Sequence, residues 1–288
     1  MIGLKRGTVK LFNHSDEWEI EGKRVIELIK KLCCDVVIDI AHIGSTSVKD
    51  LMAKPIIDIA VAVDSFVVFL KYVDPLMKNG FYYCPHDSDD RQLLFGAGSY
   101  YTGDGEEQTH FIHVVKKDSM EWLNYINFRN YLSSDKTVRK QYENLKLSLA
   151  NQFPFDRAQY VKGKNEFINA TLRTALVKSY VGKNVRVAID RPVGTPHPKH
   201  PEIIYPINYG YIPGVFGGDG EELDVYILGT NEKIKDEIFV KIVGIVYRKN
   251  DVEDKLVASI DDVSYTAQEI ENIIHFQEQF YDSHVEIE

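Results

Sequence analysis

Apolar positions along the chain follow two different periods. In the first half the helical spacing leads. Val25, Ile26, Ile29 and Leu32 share one face of a segment that Ser15 or Asp16 can cap. Trp122, Ile126 and Leu132 follow Asp118 and Glu121, which fit a capping box. Val138, Tyr142, Leu145 and Leu149 recur at the same spacing, and Asp156 opens a further helix carrying Tyr160, Lys164 and Phe167 on neighbouring turns. Between these segments PIIDIAVAV (55–63) and HFIHVV (110–115) are rich in β-branched residues and predict buried strands.

From about Val181 the texture turns to strands. VRVAID (185–190) alternates, DVYILG and EIFVKIVGIVY follow, and Pro192-Val193-Gly194, Asp219-Gly220 and Asn250-Asp251 punctuate them. A single helix is expected at the end, with Thr266 and Glu269 as a capping box and Ile270, Ile273, Ile274 and Phe280 as its apolar face. The pattern predicts two domains, 1–178 and 181–288, with a short joint at LVKSYVGKN (176–184) and no internal repeat.

Composition narrows the functional classes. The 288 residues are 44% hydrophobic and 27% charged, with a formal net charge of −9. That charge argues against a nonspecific nucleic-acid binder, yet leaves room for a locally basic pocket and a small anionic substrate. Three cysteines, none in a CxxC pair, argue against a disulfide framework or a zinc site and suggest a reducing cytoplasm. The opening residues lack the apolar core of a signal peptide, and no apolar run reaches the ~18 residues of a membrane span. The oligomeric state stays open, a homo-oligomer included.

In the first half, HIGSTSVKDLMAKPIIDIAVAV (42–63) carries the most chemistry. Gly44, Ser45, Thr46 and Ser47, placed between a strand and a helix, can aim backbone N–H groups at a phosphate; the alternative is an ordinary turn with a helix cap. Asp58 lies within an apolar strand, where a carboxylate is costly to bury without a partner, and it could hold Mg²⁺ against phosphates. HIGSTSV and AKPIIDI, with THFIHVV (109–115), FRNYL (128–132), YENLKLSLA (142–150) and DRAQYVKGKNEFI (156–168), resemble the GrpB family. The resemblance implies an α+β domain with a nucleotidyltransferase-like fold and several helices, and nucleotide or phosphate binding. Nucleotidyltransferases of that kind use two strand carboxylates one residue apart to hold two metals. Here Asp58 and Ala60 occupy those places, so one ligand is missing. His42, His110 or His113 could complete such a site, and His113 could equally be a base or a transition-metal ligand. Arg129 and Lys164 are candidate phosphate contacts or surface ion-pair partners.

In the second half, Asp219, Glu221 and Asp224 sit in GGDGEELD. On a plain strand the first two face one way and the third the other, so they converge only if the backbone turns at Gly220. A hairpin with solvated acids is the alternative. VRVAIDRPVG, YPINYGYIPG and DGEELDVYILG resemble the soluble inorganic pyrophosphatases, OB-like β-barrels with carboxylate-bound Mg²⁺. The resemblance puts Asp219, Glu221 and Asp224 on the metal-binding acids. It puts Tyr209 near the phosphate, Asp190 on an early acid and Lys255 on a phosphate-contacting lysine. Asp251 with Glu253 or Asp254 falls near a second acid pair. It also departs. A hairpin carrying a lysine, a glutamate and an arginine is replaced by RPVGTPHPKHPEII, which offers Arg191, His197, Lys199 and His200. Phe280 and Tyr281 stand where the family has a Tyr-Lys pair. The two histidines of HPKH alone are a weak zinc signal.

These readings together imply a bifunctional phosphate-handling protein. The C-terminal domain would hydrolyse pyrophosphate, or a related phosphoanhydride, with Mg²⁺ or alternatively Mn²⁺. Asp224 or a neighbouring acid would orient the water, and Lys255, Tyr209 and Arg191 would hold phosphate. The N-terminal domain would bind a nucleotide or transfer a nucleotidyl group. The alternatives are a non-catalytic nucleotide- or phosphate-binding module and a hydrolase of a different phosphate ester. No nucleic acid or membrane partner is expected.

Overall fold

The structure, a computed structural model, describes residues 1–260 and 263–287. The chain divides into two compact units, Met1–Leu172 and Arg173–Glu288.

The first unit is built on a five-stranded mixed sheet in the order Asp39–Ile43, Ile57–Val63, His110–Lys116, Gln92–Ala97, Tyr82–Tyr83. Ile57–Val63 runs parallel to His110–Lys116 and antiparallel to Asp39–Ile43. Its β-branched run is buried because both faces are covered, which matches the near-continuous apolar sequence. The helix Asp16–Leu32 begins at Ser15, whose hydroxyl accepts from the Glu17 N–H at 3.3 Å. It buries Trp18, Val25 and Ile29 against Ile57, Ile59, Val61 and Val63, with Ile26 and Leu32 at the margin of that core.

Helices Met120–Ser134 and Lys136–Gln152 come after the sheet, the second capped by Asp135. The first is capped by Ser119, not by the expected Asp118–Glu121 box: Asp118 adopts φ 61° in the preceding turn, and the Ser119 hydroxyl takes the Trp122 N–H at 3.3 Å. The single helix expected after Asp156 is two. Arg157–Lys162 stops at Gly163, and Asn165–Lys178 starts anew. Gly163 lets the backbone come so near the Leu149 side chain that a Cβ there would lie 2.5 Å from Leu149 Cδ2. Lys164 therefore sits in the break between two helices.

In the second unit Asn184–Arg191, Asn208–Phe216, Glu222–Leu228, Lys255–Ser259 and Glu237–Arg248 pair in that order, and the last pairs back to the first. The five strands close into an OB-like barrel, which removes exposed edges. The helix Ala267–Glu278 has the expected reciprocal box between Thr266 and Glu269 and buries Ile270 and Ile274. It ends before Phe280, which is exposed, and the chain continues into a strand, Ser283–Ile287, added to Glu237–Arg248. No helix among the described residues is long and apolar enough to cross a membrane.

Candidate functional site

Each unit carries a group of charged residues in its interior. In the first unit a cavity of about 510 Å³ opens on the strand ends and is lined on one side by Gly44, Ser45, Thr46 and Asp58. Gly44 has φ 69°, and a Cβ there would meet Asp58 Oδ2 at 2.7 Å, so only glycine lets the turn lie against the carboxylate. After Gly44 the chain makes one 3-10 turn, Ser45–Ser47, rather than the expected helix. The Thr46 hydroxyl donates to the Ile56 carbonyl at 3.3 Å and meets His42 Nε2 at 2.9 Å, while Ser47 Oγ closes back on the Gly44 carbonyl at 2.7 Å. Two of the three hydroxyls thus hold the turn in shape.

Asp58 is the one carboxylate among the cavity's lining residues. Its Oδ1 lies 3.2 Å from His113 Nε2, whose Nδ1 is 3.2 Å from the Tyr125 hydroxyl, which in turn reaches Gln92 Oε1 at 2.8 Å. Ala60, the place of the absent second carboxylate, is the register partner of His113 on the neighbouring strand. The other two histidines point elsewhere. His42 packs where Gly22 leaves room, and burial brings it down to about 4. His110 pairs with Glu21 at 2.9 Å. Arg129 donates to the His42 carbonyl at 3.1 Å and to Asn130, and it does not line the cavity.

The opposite wall holds Lys54, Lys146, Arg157 and Lys164. No carboxylate among the described residues forms an ion pair with any of them. They rest on ring faces instead: Lys54 and Lys164 lie 5.3 and 4.8 Å from the Tyr160 centroid, Lys146 4.8 Å from Tyr142, and Arg157 5.5 Å from Phe111. Lys146 also donates to the Met52 carbonyl, and Arg157 to Gln108. Burial, with the mutual repulsion of these cations, lowers Lys54 and Lys146 to about 7 and Lys164 to about 8. Of the four, only Lys164 is in the set read from sequence. A signal existed for Lys146, which falls between Tyr142 and Leu149 on the apolar face of its helix.

In the barrel, Tyr209, Asp224, Glu253 and Lys255 form one network. Lys255 Nζ donates to the Tyr209 hydroxyl at 2.6 Å, to Glu253 Oε1 at 2.7 Å and to Asp224, which also receives the Tyr209 hydroxyl. Burial pushes both carboxyls up, but the Lys255 ammonium and the surrounding donors hold Asp224 below its ordinary range. Glu253 is raised to about 7 by burial and by Asp224 beside it. Behind it, buried Arg248 binds Glu278 at 2.6 Å, Asp251 at 3.1 Å and Glu253 at 3.2 Å, and the Tyr226 hydroxyl completes Glu278 at 2.5 Å.

Asp219 and Glu221 stay on the exposed turn. Asp219 Oδ1 accepts the Glu221 N–H at 3.0 Å, Gly220 takes φ 87°, and the strand bulges between Glu222 and Asp224 before Asp224 enters the network. Asp251 is engaged by Arg248. Arg191 pairs with Asp190 at 3.2 Å and reaches the Tyr205 hydroxyl at 3.2 Å, its guanidinium 5.2 Å from the Tyr209 ring. His197 closes its own loop, its Nδ1 accepting from the N–H groups of Lys199 and His200.

Carboxylate oxygens are the right donors for Mg²⁺, but their arrangement does not suit it here. Among the described residues no group of three or more His, Cys, Asp or Glu is placed to hold a metal ion. An ammonium already lies between Asp224 and Glu253, and among the described residues no second carboxylate lines the cavity beside Asp58.

A mixed-sheet unit with a cationic cavity and a closed β-barrel with a buried acid–lysine network define a two-domain protein. A family model described as GrpB protein matches residues 8–174, and the chain belongs to that family. A second model, inorganic pyrophosphatase, matches residues 178–286, which form a pyrophosphatase-like domain. The glutamate-rich protein GrpB of Alkalihalophilus pseudofirmus is 33% identical over 173 residues, covering 60% of this chain and 98% of the relative. The crystal structure of conserved protein GrpB from Enterococcus faecalis superposes with a TM-score of 0.55 at 26% identity, over 59% of this chain and 99% of that one. The inorganic pyrophosphatase of Ehrlichia chaffeensis matches at 20% identity and a TM-score of 0.30, over 37% of this chain and 87% of that one.

Proposed function

We propose that the protein is a bifunctional phosphate handler. In this reading its N-terminal cavity binds the phosphates of a nucleotide, and its barrel acts on pyrophosphate or a related phosphoanhydride. The observation that carries it is the set of Lys54, Lys146, Arg157 and Lys164 around one cavity with Asp58 as their only acidic counterpart in the lining. A buried cation without an anion is costly, and a polyphosphate supplies the missing charge. Ser45 and Gly44 border the same space. Tyr142, Phe128 and Phe111 add aromatic surface that can take a nucleobase.

For the barrel, Lys255, Tyr209 and Arg191 are the groups proposed to meet phosphate, and Asp224 the acid proposed to orient water, with Mg²⁺ or Mn²⁺ as the metals to supply. Asp219, Glu221 and Asp251 would join Asp224 only if the exposed turn closed and Arg248 released its partner. That requirement, together with Ala60, favours a second reading: a non-catalytic module that binds nucleotide or phosphate.

A phosphate-release screen on the full chain separates the two. Pyrophosphate, nucleoside triphosphates and sugar phosphates would be offered with either metal across pH, alongside Asp224→Asn and Asp58→Asn. Turnover of pyrophosphate that Asp224→Asn abolishes supports the hydrolase. Turnover of another ester alone would move the substrate class. Calorimetric nucleotide binding with no turnover at all would leave the binding module.

A further inference from the structure

The nucleotidyltransferase-like sheet raises a question of charge. A two-metal site would bring four positive charges to the triphosphate, held by two neighbouring strand carboxylates. This strand has Asp58 and then Ala60, which is fully buried. His113 occupies the space beside Asp58 from the parallel strand and hydrogen-bonds its Oδ1 at 3.2 Å. On the other side Gly44 is packed against Oδ2. One oxygen of the carboxylate is engaged by a nitrogen, and the other lies beside the Gly44 turn, with 30% of the side chain exposed. The positive charge is elsewhere: Lys54, Lys146, Arg157 and Lys164 also amount to four when protonated, and all line the same cavity.

We propose that this cavity binds a polyphosphate directly on Lys54, Lys146, Arg157 and Lys164, with no divalent metal, leaving Asp58 hydrogen-bonded to His113. The inference rests on the phosphate-binding reading of the N-terminal unit and adds the means of charge neutralisation. Its physical consequence is a sign. If Asp58 held a metal, removing its charge would remove the metal and weaken binding. If the protein's own cations hold the phosphates, the Asp58 carboxylate only repels the ligand, and removing its charge tightens binding. The lysines behave as such a site requires: their interaction with one another and their burial cost are relieved when an anion enters.

The test is calorimetric titration of the full chain with inorganic tripolyphosphate, in EDTA and in millimolar Mg²⁺. Affinity in EDTA should equal or exceed that in Mg²⁺. The double variant Arg157→Met/Lys164→Met should lose roughly a hundredfold or more, because two charge-assisted contacts disappear. Asp58→Asn, nearly isosteric, should bind severalfold tighter. Binding at least about tenfold tighter in Mg²⁺, worth ~1.4 kcal/mol, would overturn the proposal while leaving phosphate binding intact. Loss of binding in Asp58→Asn, with an unchanged thermal melt, would overturn it as well. Binding that the double variant leaves unchanged would place the ligand outside this cavity. Absence of binding in both solutions would remove the N-terminal part of the function reading itself, and this proposal with it.

Discussion

The two interiors treat charge in opposite ways. In the barrel, buried Lys255 and Arg248 are each ion-paired, the two of them to Asp224, Glu253, Asp251 and Glu278, with Tyr209 and Tyr226 adding hydrogen bonds. In the first unit, Lys54, Lys146, Arg157 and Lys164 line a cavity that offers them ring faces, two neutral oxygens and, among the described residues, one lining acid that is ion-paired to none of them. A matched network is what a fold needs to keep charges inside; an unmatched one keeps a penalty that a ligand can relieve. The barrel group that looks more like an active site by sequence is thus the better satisfied of the two. The cavity, with less sequence signature, has more unmet charge.

The contrast between the two interiors breaks most readily at Lys255. Lys255→Met should leave the Asp224 carboxylate without its cationic partner, while Glu253 keeps Arg248, and cost ~3–5 kcal/mol of the C-terminal unit's stability in urea unfolding. A loss below ~1 kcal/mol would mean that the network is not what holds these acids. The cavity should answer with the other sign. Lys146→Met removes a buried charge, and the unliganded N-terminal unit should melt roughly 2–6 °C higher, measured by scanning calorimetry. A lower melt would show that the Met52 carbonyl bond outweighs the burial penalty.

The pH dependence sharpens the same contrast. Lys54 and Lys146 titrate near 7 and Lys164 near 8 in the empty fold, below the 10.5 of a free lysine. Above pH 7 the unfolded chain therefore binds more protons than the empty folded one, so unliganded stability should rise from about pH 7 toward 10. Polyphosphate affinity should move the other way, falling about tenfold or more between pH 7 and 9, because the bound lysines must regain protons. Calorimetry in buffers of different ionisation enthalpy should register net proton uptake on binding at pH 8. Affinity independent of pH over this range would separate the lysines from the ligand. The smallest effect is a control outside both charge groups: Thr266→Ala opens the capping box of the barrel's helix and should cost about 1 kcal/mol with ligand binding unchanged.

Much of the fold was legible because it depends on local pattern. The apolar run at 57–63, the Ser15 cap, the face of Val25 and Ile29 and the Thr266–Glu269 box all arise within a few residues of one another. The misread elements have local causes that the pattern did not weigh. Asp118 took a left-handed turn and passed the cap to Ser119, Gly163 divided one expected helix into two, and Phe280 fell beyond the helix end. For the sites, Asp58 was singled out by its apolar strand, and the pyrophosphatase resemblance pointed to Asp224, Tyr209 and Lys255; each lies in one of the two charged groups. Neither signal separated them from Asp219, Glu221, Asp251 and Arg129, which differ only in which way the backbone and neighbouring cations turn them.

Sequence alone pointed to two stretches of different texture and to the GrpB and pyrophosphatase-like likeness of each, because hydrophobic period and short motifs are properties of neighbouring residues. Tertiary structure decided which charges meet. Lys54, Lys146 and the neighbouring pair Arg157 and Lys164 come from three separate stretches of chain, and only the fold brings them to one cavity. For Glu253, only the fold supplies the burial beside Asp224 that raises its carboxyl above the range of a solvated glutamate. Coulombic interaction depends on distance in space and on the water excluded between groups, and both are set only when the chain has folded.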